Sequence, residues 1–140
     1  MVTISTDPSL VDVPLVHRWL STDAYWALGR PLEVVERSVA HSLNVGAYDN
    51  GVQVGYARVV TDHATFAWLC DVYVDPARRG AGIGKELLAA VLAELSPLQL
   101  TRVMLATADA HALYAAHGFE PLPDPSMLMV QRRPETDPRG

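Results

Sequence analysis

The strongest constraint in this chain is an apolar run, Phe66 to Val74, that feeds directly into Pro76-Ala-Arg-Arg-Gly-Ala-Gly-Ile-Gly-Lys-Glu-Leu-Leu88 and then into an apolar-periodic stretch. The run is long and mixed in character, as expected of a strand covered on both faces. Beyond the glycines, Ile83, Leu87, Leu88, Val91, Leu92 and Leu95 recur at the spacing of a helix packed against a sheet, closing at Ser96-Pro97. A strand, a bare turn and a helix start form a site for a phosphate-bearing anion, because the unpaired amides of a first helical turn point outward and the helix dipole favours negative charge. Glycines at 80, 82 and 84 let the main chain approach such a ligand, and Arg78 and Arg79 add charge beside it.

The rest of the chain surrounds this unit with alternating elements. A short strand is expected from Val2 to Ser5. Leu15, Val16, Trp19 and Leu20 then repeat at helical spacing behind Asp12 and Pro14, with an end near Leu20. Pro31 opens a second helix carrying Leu32, Val35, Val39 and Leu43 on one side, with Asn44 or Gly46 to stop it. From Val45 the period changes to two, and Asp49-Asn50-Gly51 supplies the turn residues of a tight hairpin between strands at Val45 to Tyr48 and Gln53 to Thr61. Thr61 to Ala64 reads as another turn. After the central helix come a short strand from Arg102 to Ala106, a helix from Ala108 to His117 ended by Gly118, and a last strand from Met127 to Arg132. The predicted order, β-α-α-β-β-β-α-β-α-β, is a mixed α/β sheet with helices on both faces, one domain over residues 1–133 and a flexible tail over 134–140.

Composition narrows the function classes. With 140 residues, 49% hydrophobic and 19% charged, the chain can bury a core without staples. A net charge of −5 argues against a general nucleic-acid binder. Cys70 is the only cysteine, which leaves no internal disulfide, and it reads as a small buried hydrophobe. No signal peptide or apolar span of membrane length is visible, so a cytoplasmic protein is expected, with neither nucleic acid nor membrane as partner. His17, His41, His63 and His117 show no metal-ligand spacing, and no metal is expected.

Two nucleotide loops can be set aside. For G-x-x-x-x-G-K-[ST] the span from Gly80 to Gly84 is one residue short, and Glu86 stands where a hydroxyl must meet magnesium; for G-x-G-x-x-G, Lys85 replaces the last glycine. What fits is R-x-x-G-x-G on Arg79, Gly82 and Gly84, preceded by V-x-V-D-P from Val72 to Pro76 and followed downstream by L-Y-x-x-x-G-F from Leu113 to Phe119. In these motifs and their order, over about residues 45 to 132, the sequence resembles the GNAT superfamily of acyl-CoA-dependent N-acyltransferases.

The resemblance implies an acetyl-CoA co-substrate whose pyrophosphate lies on the main chain of Arg79, Gly80, Ala81, Gly82, Ile83 and Gly84. It implies that Val72, Tyr73 and Val74 pair with the pantetheine arm as a surrogate strand, using main-chain groups only. Tyr114 matches the family tyrosine that protonates the departing thiolate, a phenol of pKa near ~10 serving a thiol near ~8.5. Thr107 stands where many members carry asparagine, and it also suits a helix N-cap, with Asp109 on the dipole. His111 is placed three residues before Tyr114, on the same helix face.

For the base that deprotonates the amine, Asp71 is the candidate, a carboxylate in the otherwise apolar Trp68-Leu-Cys-Asp-Val-Tyr-Val74; a structural pairing with Arg58 or nearby backbone is the equal alternative, and water the third. Alternation puts Asp71 and Tyr73 on one face. Tyr25 and Trp26, with Arg30 nearby, are candidates to wall an acceptor pocket for a small-molecule or peptide amine. The reading is an N-acetyltransferase acting by direct attack in a ternary complex; its rival is a non-catalytic acyl-CoA-binding regulatory domain. A homodimer is a further expectation from the family.

Overall fold

The computed structural model describes residues 1–133, so the expected tail at 134–140 lies outside the described residues. Five strands form one sheet in chain order: β1 (Val2–Ser5), β2 (Leu43–Asp49), β3 (Val52–Thr61), β4 (Phe66–Val74) and β5 (Arg102–Met104). The first three pairings are antiparallel and β4 to β5 is parallel. Asn50 and Gly51 take positive φ at the β2–β3 turn, as that hairpin requires.

Helix α3 (Ile83–Leu95) covers one face, burying Leu87, Leu88 and Val91 against Val45, Ala47, Val54, Ala57, Val59 and Leu69. Full burial of each such side chain contributes about 1.5–3 kcal/mol. Gly55 lets the helix come this close, since a Cβ there would stand 3.0 Å from Leu87 Cδ1 and 3.2 Å from Ile83 Cγ2. Helices α1 (Val13–Asp23) and α2 (Leu32–Ala40) cover the other face, where Val16, Trp19, Leu20, Val35 and Val39 enclose Tyr56 and Tyr73. Asp12 caps α1, its carboxylate accepting from Leu15 N at 3.1 Å. Among the described residues no helix is long and apolar enough to cross a membrane.

Several boundaries differ from expectation for tertiary reasons. Helix α1 continues to Asp23 instead of stopping near Leu20. Leu43 belongs to β2 and not to α2, which ends at Ala40, and Asn44 closes that helix end from within the sheet: its side chain donates to Val39 O at 2.9 Å and accepts the Tyr56 hydroxyl. Strand β5 ends at Met104, short of Ala106, and α4 spans only His111–Ala115. The last strand expected at Met127 to Arg132 is not formed; Pro125–Met127 is a 3-10 turn, and Met129 beyond it is 97% exposed. Pro121, Pro123 and Pro125 fix φ and remove donors just before the segment, so the local alternation has no ladder to join.

Candidate active site

The central feature is a fault in β4. Its pairing with β3 runs from Ala67 to Cys70 opposite Thr61 to Arg58, then resumes at Tyr73 opposite Tyr56, so Asp71 and Val72 face the single residue Ala57. Asp71 has φ of 52°, a left-handed conformation that aspartate tolerates better than most residues. This is a β-bulge, and it reverses the phase of the strand. Ala67 and Leu69 pack toward α3, and so do Val72 and Val74, while Tyr73 joins the α1–α2 side. Asp71, within the bulge, and Tyr73, just after it, do share the α1–α2 face.

On the other edge β4 loses its neighbour. Parallel pairing with β5 stops at Trp68 and Met104, and among the described residues Leu69 to Val74 continue without a strand on that side. The gap opens into a cleft of about 1010 Å³, lined by Asp71 to Val74, by Leu105 to Ala110, by Leu113 and Tyr114, and by Tyr25 and Trp26. Tyr25 Oη accepts from Ala108 N at 2.9 Å, which ties the α1–α2 connection to the segment after β5. Its ring meets Trp26 edge-on at 5.0 Å.

At one end of the cleft lies the glycine turn. Gly80 and Gly82 have φ of 90° and 86°, values that disfavour any side chain, and Gly82 is the N-cap of α3. No side chain caps this helix, and its first intrahelical bond runs from Glu86 N to Gly82 O. The amides of Ile83, Gly84 and Lys85 therefore have no intrahelical partner. Gly84 is the informative glycine: a Cβ there would meet nothing nearer than Val74 Cγ2 at 3.9 Å, so the fold itself does not ask for it. Bare backbone there leaves room for a group from outside the chain to come close. Val74, Arg78, Arg79 and Lys85 line the same hollow, and the residues present fit the diphosphate of an acyl-CoA.

The arginines of this loop are partly engaged. Arg78 pairs with Asp49 at 2.7 Å. Arg79 donates from Nε to Val74 O at 3.1 Å, reaches Asp23 at 3.5 Å and lies 5.1 Å from the Tyr73 ring centre. The Tyr73 hydroxyl also donates to Asp23, and burial with that carboxylate pushes the phenol up to about 12. Asp23 and Lys85 were not singled out from the sequence; continuation of the helical period past Leu20 was the available signal for Asp23.

Asp71 is buried and both of its oxygens accept hydrogen bonds. Oδ2 accepts from Arg30 Nη1 and Arg58 Nε, both at 2.9 Å, and Oδ1 accepts from Trp26 Nε1 at 2.8 Å. Burial alone pushes this carboxyl up, but the Arg58 and Arg30 guanidiniums, with hydrogen bonds from Arg58 and Trp26, outweigh it and hold the group below its ordinary value. Cys70, beside it, is pushed up to about 11, chiefly by burial, and is a protonated thiol at neutral pH.

Tyr114 is buried on α4 against Phe119, ring centres 5.9 Å apart. Among the described residues the only fully buried side-chain polar atom without a partner is Tyr48 Oη, so the unbonded Tyr114 hydroxyl opens on the cleft. Burial, with Tyr25 and Asp109 close by, pushes it above the usual phenol value and keeps its proton in place at neutral pH. Thr107 Oγ1 accepts from Ala110 N at 3.1 Å, capping the turn that leads into α4, and His111 is exposed. No group of three or more His, Cys, Asp or Glu among the described residues is gathered to hold a metal.

Residues 13–119 match the family model described as the acetyltransferase (GNAT) family. A candidate acetyltransferase of Gibberella zeae is 33% identical over 79% of this chain and 74% of its own length. A GNAT-family protein from Xanthomonas campestris pv. campestris is 48% identical, with a TM-score of 0.91 over 96% of this chain and 94% of that one. Rv2747 of Mycobacterium tuberculosis, solved in complex with CoA, is 26% identical, with a TM-score of 0.70 over 89% of this chain and 77% of that one.

Proposed function

Because the chain belongs to the acetyltransferase (GNAT) family, we propose that it moves the acetyl group of acetyl-CoA onto a primary amine by direct attack within a ternary complex. The observation that carries this reading is the cleft itself: the anion-receptive turn at one end and the Tyr114 hydroxyl further in are joined by the open edge of β4. A domain that only bound acyl-CoA would need the turn and the edge. It would have no use for a proton-bearing phenol, otherwise buried, that opens on the same cleft.

Bound acetyl-CoA supplies the activated acyl group. The Arg79 to Gly84 main chain, with the free amides of the first α3 turn, holds its diphosphate, and the Val72 to Val74 backbone receives the arm that follows. Main-chain N–H groups on this stretch of β4 are placed to receive charge that develops on an acyl oxygen. Tyr114 gives its proton to the departing sulfur; its raised pKa is an advantage for readiness, since the proton is present across the neutral range. Asp71 acts by position: its three hydrogen bonds hold Arg30, Arg58 and Trp26 in the wall of the cleft, and the proton of the attacking amine leaves through water.

Replacing Tyr114 by Phe tests the assignment. The ring and its contact with Phe119 remain, so acetyl-CoA affinity should be unchanged while kcat falls roughly 10²- to 10⁴-fold, the usual worth of a positioned acid. CoA release measured against an amine panel reads both. Unchanged kcat removes the acid role, and no transfer by the parent protein despite tight acetyl-CoA binding favours the binding-domain reading.

A further inference from the structure

Resting on the acetyltransferase reading, the geometry points to the class of amine: we propose that the acceptor also carries a carboxylate, which sits on the free guanidinium donors of Arg30 and Arg58 while its amine faces Tyr114.

The argument begins with donors. Each guanidinium has five N–H donors. Among the described residues Arg30 makes one hydrogen bond, to Asp71, and Arg58 makes two, to Asp71 and to Ser42 Oγ at 3.1 Å. Both side chains are largely buried, 12% and 14% exposed, and both line the cleft. Their remaining nitrogens are not among the sealed, unpartnered polar atoms of the described residues, so they are accessible, and the cleft is the hollow that both side chains line. A planar fork aimed into a cleft is suited to a carboxylate.

Charge points the same way. Two guanidiniums face the single Asp71 carboxylate, which leaves one positive charge without a partner in a recess where charge interactions are stronger than in water. One surplus charge suits a carboxylate better than a phosphate dianion. Asp23 does not cancel it, because that group is already held by Arg79 and the Tyr73 hydroxyl. Asp109, the other acid of the cleft, is near enough to Tyr114 to bear on its hydroxyl, so the negative side of the cleft lies toward the proposed acid. The cleft is thus polarised, cationic at Arg30 and Arg58 and anionic by α4, and a zwitterion complements both sides. The chain's net charge of −5 averages over the surface and misses this arrangement.

The test compares glycine, β-alanine, 4-aminobutyrate and leucine with methylamine, ethylamine, propylamine and isoamylamine, pairs that differ only by the carboxylate. CoA release should give kcat/KM at least roughly tenfold higher for the better carboxylate members, and Arg30→Gln should erase that advantage while leaving the KM for acetyl-CoA unchanged. Equal or faster turnover of the plain amines overturns the carboxylate seat and leaves acetyl transfer standing. As an independent arm, tryptophan fluorescence of the parent protein should report tighter binding of N-acetylleucine than of its amide, because Trp26 lies in the cleft wall. Absence of that preference also overturns the seat. Binding preference without turnover of either set keeps the seat and overturns the transfer reading.

Discussion

Replacing Asp71 by Asn is the sharpest test of how the cleft wall is held. The substitution keeps the shape and an oxygen for Trp26, but it removes the charge between two guanidiniums and turns an NH₂ toward both of them. Removing one partner of a buried ion pair costs about 3–5 kcal/mol. Asp71 is 1% exposed, whereas Arg30 and Arg58 reach the cleft and can take water, so the low end applies, about 3 kcal/mol. For a chain of this size that corresponds to a fall in Tm of roughly 10 °C. The pH dependence gives the sign. The folded carboxyl lies below its ordinary value of about 3.9, so its contribution is fully present above that pH and disappears as pH falls through the folded value. Thermal melts of parent and variant should therefore differ by the full amount at pH 7 and converge as the pH is lowered below about 4. A positioning role also predicts that the KM for the amine rises more than kcat falls. A Tm change under about 2 °C, a gap that is the same at pH 7 and at pH 3, or loss of kcat with KM intact each refutes the reasoning.

Other positions test the frame around the cleft. Gly55→Ala places a Cβ 3.0 Å from Leu87 and 3.3 Å from Ala47 Cβ, and overpacking there should cost about 1–3 kcal/mol in denaturant melts. Gly82→Val forces a β-branched residue to φ of 86° at the α3 N-cap; it should lose acetyl-CoA binding by calorimetry, and normal binding would remove the loop from the site. Met129→Glu alters a side chain that is 97% exposed, so stability should stay within about 0.5 kcal/mol, and a larger loss in thermal melts would mean that the side chain is covered in solution.

The parts of this protein that could be read from its sequence are those whose causes are local. The α3 stripe follows from helical period, the β2–β3 turn from two residues that accept positive φ, and the anion-receptive turn from glycines followed by a capless helix start. Tyr114 is a candidate through the resemblance of Leu113 to Phe119 to a family motif, since its own type on a helix says little. Asp71 stood out as a charge in an apolar run, but whether it would be free or paired was not decidable there. Leu43 and the Met127 to Arg132 segment misled for a related reason: each continues a local period, and the first was taken by the sheet while the second met no strand.

What the chain's order of residues determined by itself was a sheet faced by helices and an anion-receptive turn, because backbone conformation and burial period depend on near neighbours. Only the tertiary structure decided which charges meet in the cleft wall. The bulge at Asp71 arises from β3 and β4 having unequal numbers of residues between their paired ends, and no residue on β4 announces it. It turns Asp71 into the same recess as Arg30, from the α1–α2 connection, and Arg58, from β3, at 2.9 Å each. Electrostatic character at that range depends on which distant segments converge. The charges of the cleft wall therefore became legible only once the strands were paired.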